Sequence, residues 1–419
     1  MLNPLASVIA SFCFLGVMLY KRVNLGVALN ATAVMLALLA VDWLSILNIA
    51  YETVNPLKTD GLLAISAIVA TFMITWFSHL FKDTGVCSRL SESLSRLVKN
   101  PKAVLSIFPA IIGLLPVPGG ALMSAPIVDS EGEKLKLNAD KKAYVNLWFR
   151  HTIFPVYPLG PTLIITLALT GMPMPAIILL QIPTVIIMVV VGYFVSFWNV
   201  PSLKRDEHEE KVGSTSEFKN LFVAFSPILA TIVVAVFVSL FKYELSQKGL
   251  DVLIATFVGL MVLAAISRLS LKTLLQPLKE FGIYGVALAV YGALLLRNVM
   301  KAAGISEVFQ PLVLNGNIDL IVLLTVIPAA LAFLTGSPAG AVAISTSILT
   351  GILTFSPKPV ALLYMSAYLG YVIAPTHLCF TFTAEYFKSS LGKVYKYVIP
   401  SFTAAFLTAL IVYLAPYHF

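Results

Sequence analysis

Apolar runs of about twenty residues, without strand-like alternation, recur from one end of this 419-residue chain to the other. A helix of that length crosses a hydrocarbon layer of roughly 30 Å. Backbone amides cannot be left unpaired in such a layer, so only helices or closed barrels span it. The missing alternation excludes the barrel. Composition agrees, with 59% hydrophobic and 11% charged residues and a mean hydropathy of +0.92. These values exclude a disordered chain, a water-soluble domain and a secreted disulfide scaffold. The net charge of +8 is then loop charge and not a nucleic-acid signal. The predicted class is an all-α polytopic membrane protein.

Ten spans are expected, at 4–20, 23–50, 62–81, 144–170, 176–198, 219–241, 252–267, 281–300, 360–386 and 394–416. The second is long enough to tilt or to end in an interfacial turn. The N-terminal run is read as a first span and not as a cleavable signal, because its positive charges, Lys21 and Arg22, follow the apolar stretch. Cys13, Cys87 and Cys379 lack metal-like spacing and read as apolar fillers.

Two further apolar segments, 102–128 and 320–354, carry Gly/Pro breaks in their middles. The arm from Lys102 to Leu115 makes a helix of only about 21 Å. Both segments are therefore expected to be re-entrant hairpins, with tips at Pro116–Gly120 and Thr335–Gly340. Lysine and arginine placement tests this topology. With an outside N-terminus and two hairpins, 21 of the 28 Lys and Arg fall on the inner side and six on the outer, with Arg150 inside a span. That satisfies the positive-inside rule. It predicts both termini outside and the hydrophilic linker 201–218 in the cytoplasm.

The linker separates two halves that repeat each other. Gly85 and Gly304, Pro118 and Pro338, and Pro161 and Pro375 are offset by 219, 220 and 214 residues. Each half, 1–200 and 219–419, holds five spans and a hairpin. Five is odd, so the second half enters the membrane from the opposite side, and the repeat is inverted. Inverted repeats with broken helices are the architecture of secondary transporters, where exchanging the conformations of two like halves alternates access.

The chemistry is expected where four breaks converge, at the two tips and in the two broken spans, 144–170 and 360–386. Each break exposes helix N-terminal amides, a ready anion site. The candidate substrate residues are Pro118, Gly119, Gly120, Gly160, Pro161, Thr162, Ser337, Pro338, Gly340, Pro375, Thr376, His377 and Arg150. Half-helices are expected to start near Gly119, Gly160, Pro338 and Pro375. Ser124, Thr335, Ser345 and Thr346 are candidates for a coupling sodium ion, although each alone could bond a carbonyl one turn back. Arg150 and His151 read as opening the fourth span. Arg150 either counters a carboxylate bidentately or snorkels at the cytoplasmic interface beside Asp129 or Glu131. His377 either binds substrate or carries a proton, or is a satisfied buried histidine.

In architecture the chain resembles the ion transporter superfamily, which includes divalent-anion/sodium symporters, gluconate permeases and citrate carriers. The segments PVPGGALMSAP at 116–126, NLWFRH at 146–151 and TGSPAGA at 335–341 resemble an uncharacterised prokaryotic integral-membrane family within it. The Ser-Asn-Thr tip motif of the sodium/dicarboxylate branch is absent. The resemblance implies the inner membrane of a prokaryote and a homodimer with a mobile, elevator-like transport unit.

The resulting expectation is secondary active transport of small organic anions, carboxylates above all, coupled to sodium or protons. No Asp or Glu falls at mid-depth of the core elements, which speaks against a cation/proton antiporter or inorganic-ion permease. No Walker, H-E-x-x-H or G-x-S-x-G motif occurs, so no enzyme and no organic cofactor is expected. The remaining reading is a membrane-anchored partner protein.

Overall fold

The computed structural model describes residues 3–98, 100–115, 120–201, 214–305, 319–350 and 352–416. The named elements are all helical. In chain order they are α1 (Pro4–Tyr20), α2 (Leu25–Ala40), α3 (Trp43–Thr53), α4 (Thr59–Asp83), α5 (Val86–Leu97), α6 (Pro101–Gly113), α7 (Ala121–Lys134), α8 (Ala139–Arg150), α9 (Pro161–Thr170) and α10 (Met174–Phe197). The second half contributes α11 (Ser214–Phe241), α12 (Tyr243–Gln247), α13 (Leu250–Ser267), α14 (Leu271–Leu275), α15 (Phe281–Ala302), α16 (Leu320–Thr335), α17 (Pro338–Leu349), α18 (Pro357–Val372), α19 (Leu378–Tyr386) and α20 (Leu391–Leu414).

Seven described segments are long and apolar enough to cross a membrane, counting the interrupted stretch Ala139–Thr170 as one. The apolar helices α1 and α2 have 17 and 16 residues, about 25 Å each. The expected span 23–50 is two helices, α2 and α3, parted at Val41–Asp42. The span expected at 360–386 is likewise two helices, α18 and α19. Span six begins earlier than expected, at Ser214. The rest of the 201–218 linker lies mostly outside the described residues.

One element departs from expectation. The stretch after Gly85 is not a loop but the helix α5. It buries Val86, Leu90 and Leu94, at i, i+4 and i+8, and turns Ser88, Arg89, Glu92 and Arg96 outward. It packs on α11 and is tied there by Arg96 and Glu217 at 2.9 Å. Gly85 and Gly304, the repeat landmarks, both hold the left-handed backbone that glycine favours, at φ 69° and 65°.

Both apolar segments with central breaks fold back on themselves. In the first, α6 packs on α7; in the second, α16 packs on α17. Further helix pairings match when the halves are exchanged. α1 packs on α2 as α11 packs on α13, and α2 on α15 as α13 on α4. α6 packs on α8 as α16 on α18, α7 on α19 as α17 on α9, and α8 on α20 as α18 on α10.

The two broken helices form the centre. In α8 every residue from Lys142 to Arg150 is buried, and in α18 every residue from Val360 to Gly370. Trp148, Tyr144, Tyr364 and Tyr368 are the largest fully buried side chains. Their polar ends are satisfied: Trp148 donates to the Met188 carbonyl at 2.9 Å, and the Tyr144 hydroxyl meets Ser401 at 2.6 Å. The outer helices α10, α11 and α20 instead expose Val190, Phe194, Phe237 and Ile411, as helices facing hydrocarbon do. Small residues let α2 and α15 approach closely. Gly26 faces the Gly285 backbone, and Asn30 donates across the interface to the Leu288 carbonyl at 2.9 Å.

Candidate functional site

Each broken helix stops where its sequence supplies a reason. In the first, α8 ends at Arg150, and a short 3-10 turn at Phe154–Val156 precedes the restart at Pro161. Proline opens a helix without loss, since its missing N–H would be unpaired there anyway. In the second, α18 ends at Val372, and α19 restarts at Leu378 with His377 as its cap. The restart was expected near Pro375. Instead the backbone turns at Pro375–Thr376, where the Thr376 hydroxyl donates to the Phe333 carbonyl on α16 at 2.9 Å. The unwound carbonyls are paired across the core. Tyr368 donates to the carbonyl of His151 at 2.8 Å, Tyr364 to that of Pro155 at 3.3 Å and Tyr395 to that of Ile373 at 2.7 Å.

The two breaks meet through their histidines. The His151 and His377 rings lie edge to face, with centroids 4.8 Å apart. Tyr371 packs on His377 at 3.8 Å. The Arg150 guanidinium and the His151 ring lie beside the thiol of Cys379. His377 is 1% exposed, and neither ring nitrogen reaches a partner in hydrogen-bonding geometry, although the Val372 backbone lies alongside.

Arg150 is buried within the protein. It is the last residue of α8, 5% exposed, and its Nη2 donates to the Leu115 carbonyl at 3.3 Å. Its Nη1 has no partner. The acids expected to hold it are engaged elsewhere: Asp129 pairs with Lys142 at 2.7 Å and Glu131 with Lys134 at 2.8 Å. The helix holding Arg150 starts earlier than the expected 144, at Ala139. There the Asn138 side chain caps the Lys141 amide, and charged residues fill the first turn.

The described residues Gly113 and Gly120 of the first hairpin, and Gly336 at the second tip, lie against the break of their own half. A Cβ at Gly120 would collide with the Arg150 guanidinium, and one at Gly113 with the Arg150 carbonyl oxygen. At the second tip, a Cβ on Gly336 would meet the Thr376 carbonyl oxygen at 2.8 Å. Pro118 and Gly119 lie outside the described residues. Gly120 caps α7, Gly160 caps α9, Pro161 is the first residue of α9, and Thr162 follows it, buried. Ser337 caps α17 by accepting from the Gly340 amide at 3.1 Å, and Pro338 is the first residue of α17. α7 packs on α19, and α9 on α17.

The hydroxyl candidates divide. Thr346 and Thr335 bond carbonyls one turn back, Val342 and Leu331, at 2.7 Å each. Ser124 donates to Asn146 Oδ1 at 2.6 Å. Those three are structurally engaged. Ser345 is buried without a partner. Two residues of this region escaped sequence reasoning. Asn146 donates to the Ala121 carbonyl and to Thr383 Oγ1, both at 3.0 Å, joining the start of α7 to α8 and α19. Cys379 lies within the histidine cluster. Asn146 was visible inside NLWFRH. Cys379 gave no local signal.

Fold and site define a polytopic α-helical membrane protein. The family model described as "Protein of unknown function (DUF401)" matches residues 4–417, and the chain belongs to that family. No curated protein matches the chain by sequence. Among solved structures, MtrF of Neisseria gonorrhoeae, described as illuminating a class of antimetabolite efflux pumps, is similar at 11% identity and a TM-score of 0.45. The match covers 88% of this chain and 83% of that one.

Proposed function

We propose that this protein is a secondary active transporter of small organic anions, carboxylates above all, built as two inverted repeats on the plan of the ion transporter superfamily. The observation that carries the reading is Arg150. An always-charged group, buried beside two helix breaks and paired with no carboxylate among the described residues, is costly unless an anion completes it. A guanidinium with a free edge takes a carboxylate in bidentate fashion. The amides opening α7 beside Gly120 add partial positive charge, as do those opening α19.

In this reading the substrate sits among Gly120, Arg150 and the second break at Pro375, Thr376 and His377. Gly160, Pro161, Thr162, Ser337, Pro338 and Gly340 line the related region at α9 and α17. A sodium ion or a proton couples transport, with Ser345 the hydroxyl available to an ion. The hairpins and broken helices form the moving unit, and α2, α4, α13 and α15 the frame within a homodimer in the inner membrane.

The test is thermal stability of the purified protein against a panel of carboxylates, each in sodium and in potassium. A ligand that binds the folded state raises its apparent stability by about 2.7 kcal/mol at a hundredfold excess over Kd. Stabilisation by one acid, absent in Arg150→Gln, supports the reading. No response to any acid, with no flux of carboxylates in proteoliposomes, overturns it.

A further inference from the structure

His151, His377 and Cys379 each offer one ligand atom, and the three atoms lie within 4.8 Å of one another. A tetrahedral metal with bonds of about 2.0–2.3 Å places its ligand atoms roughly 3.3–3.8 Å apart, so side-chain rotations suffice to close the set. The donor types match one another. Two imidazoles and a thiolate suit a borderline or soft transition metal and offer nothing to magnesium or calcium, which take oxygen ligands.

The surroundings carry the same sign. His151 Nδ1 lies 2.7 Å from the Leu147 carbonyl oxygen. A carbonyl only accepts, so Nδ1 bears the proton and Nε2 keeps its lone pair. This backbone support is what metal-bound histidines use to fix their tautomer. His377 is almost fully buried, with both nitrogens free to act. Metal binding would release the Cys379 proton and leave a thiolate between the cation and Arg150, offsetting one of their three positive charges. The three ligands come from both breaks, one from the end of α8 and two from the start of α19.

We propose that His151, His377 and Cys379 form a three-ligand site for a thiophilic divalent metal of the zinc class, with a fourth position open. Occupancy would pin the two broken helices together. The proposal does not depend on the anion reading. Failure of the metal test leaves the carboxylate stabilisation assay untouched, and the reverse also holds.

The experiment is titration of the full chain, purified without a polyhistidine tag, with Co2+ as a spectroscopic probe. The expected result is one cobalt per chain with a near-ultraviolet thiolate-to-cobalt charge-transfer band, abolished by stoichiometric Zn2+ and unaffected by Mg2+. The band persists when Cys13 and Cys87 are both replaced by serine and is lost in Cys379→Ser. His377→Gln weakens cobalt binding at least tenfold. A second measurement uses only the wild-type protein: Zn2+ protects Cys379 from alkylation, read by mass spectrometry. A folded wild type without the band, a band that survives Cys379→Ser, or a Cys379 that alkylates equally fast with Zn2+ overturns the proposal.

Discussion

The Arg150 guanidinium donates to the Leu115 carbonyl at 3.3 Å, so the end of the first broken helix is fastened to the arm that leads into the first hairpin tip. The second half has a counterpart in Thr376 and the Phe333 carbonyl at 2.9 Å. Both bonds run from a break to a hairpin arm of the same half. Only the first places a permanent charge there.

Arg150 separates stability from function. A buried cation without a carboxylate partner carries an uncompensated desolvation cost, and removing the charge offsets what a shorter side chain loses in contacts. Arg150→Gln is therefore expected to unfold at the wild-type temperature or above it. Its carboxylate affinity should fall by ~1.5–3 kcal/mol, roughly ten- to a hundredfold. Arg150→Lys keeps the charge but loses the fork and should fall between. Thermal unfolding and binding titration of the three proteins check this. A large fall in unfolding temperature for Arg150→Gln would assign the arginine to structure.

Gly113 and Gly120 face the same arginine with opposite consequences. At Gly113 an added Cβ meets the Arg150 backbone carbonyl, which cannot move without shifting α8. Gly113→Ala should cost ~1–3 kcal/mol of stability. At Gly120 the Cβ meets the mobile end of the side chain. Gly120→Ala should fold normally and displace the guanidinium, lowering anion affinity. At Gly340 the added Cβ meets Leu25 Cδ1 at 3.2 Å and Ser337 Oγ at 3.3 Å, both movable ends, so Gly340→Ala should be mild. Equal stability losses at Gly113 and Gly120 would contradict the assignment.

Asn146 ties three elements with one side chain. Asn146→Leu strands the buried Thr383 hydroxyl and leaves Ser124 only its longer bond to the Ala121 carbonyl at 3.3 Å. A stranded group costs ~1–3 kcal/mol. The Asn146→Ala/Thr383→Ala cycle should give a coupling of ~0.5–3 kcal/mol. Strict additivity in unfolding measurements would show that the two side chains do not act together.

The two pseudo-equivalent halves of the site differ in what they touch. α17 and α9 pack on α15, and α9 also on α4, whereas among the described helices α7 and α19 make no comparable packing with either. The front of the second break is correspondingly open, with Leu378 at 50% and Leu122 on α7 at 43% exposure. In the proposed topology this open side faces the cytoplasm. Cysteines at 122 and 378 should react with a membrane-impermeant reagent in inside-out vesicles and not in right-side-out ones. Labelling only from outside would reverse either the topology or the facing state.

By itself the sequence determined the membrane class, the hairpins and the broken helices. Those are local properties: a run of apolar residues crosses hydrocarbon as a helix, and Pro161 and Pro338 each open a new helix after a break. The left-handed backbones at Gly85 and Gly304 follow from the same local chemistry. The amphipathic pattern that makes α5 a helix was present too, but its serines and arginines read as loop in a chain judged by hydropathy. Tertiary structure alone decided which polar groups meet. Sequence left Arg150 open between a substrate site and the interface, because the charged first turn of α8 hid where that helix begins. Cys379 looked like a filler because His151 lies over two hundred residues away in the chain. Spacing along the chain registers partners a few residues apart. It cannot register two helix ends brought together only when the halves fold around a shared, buried centre.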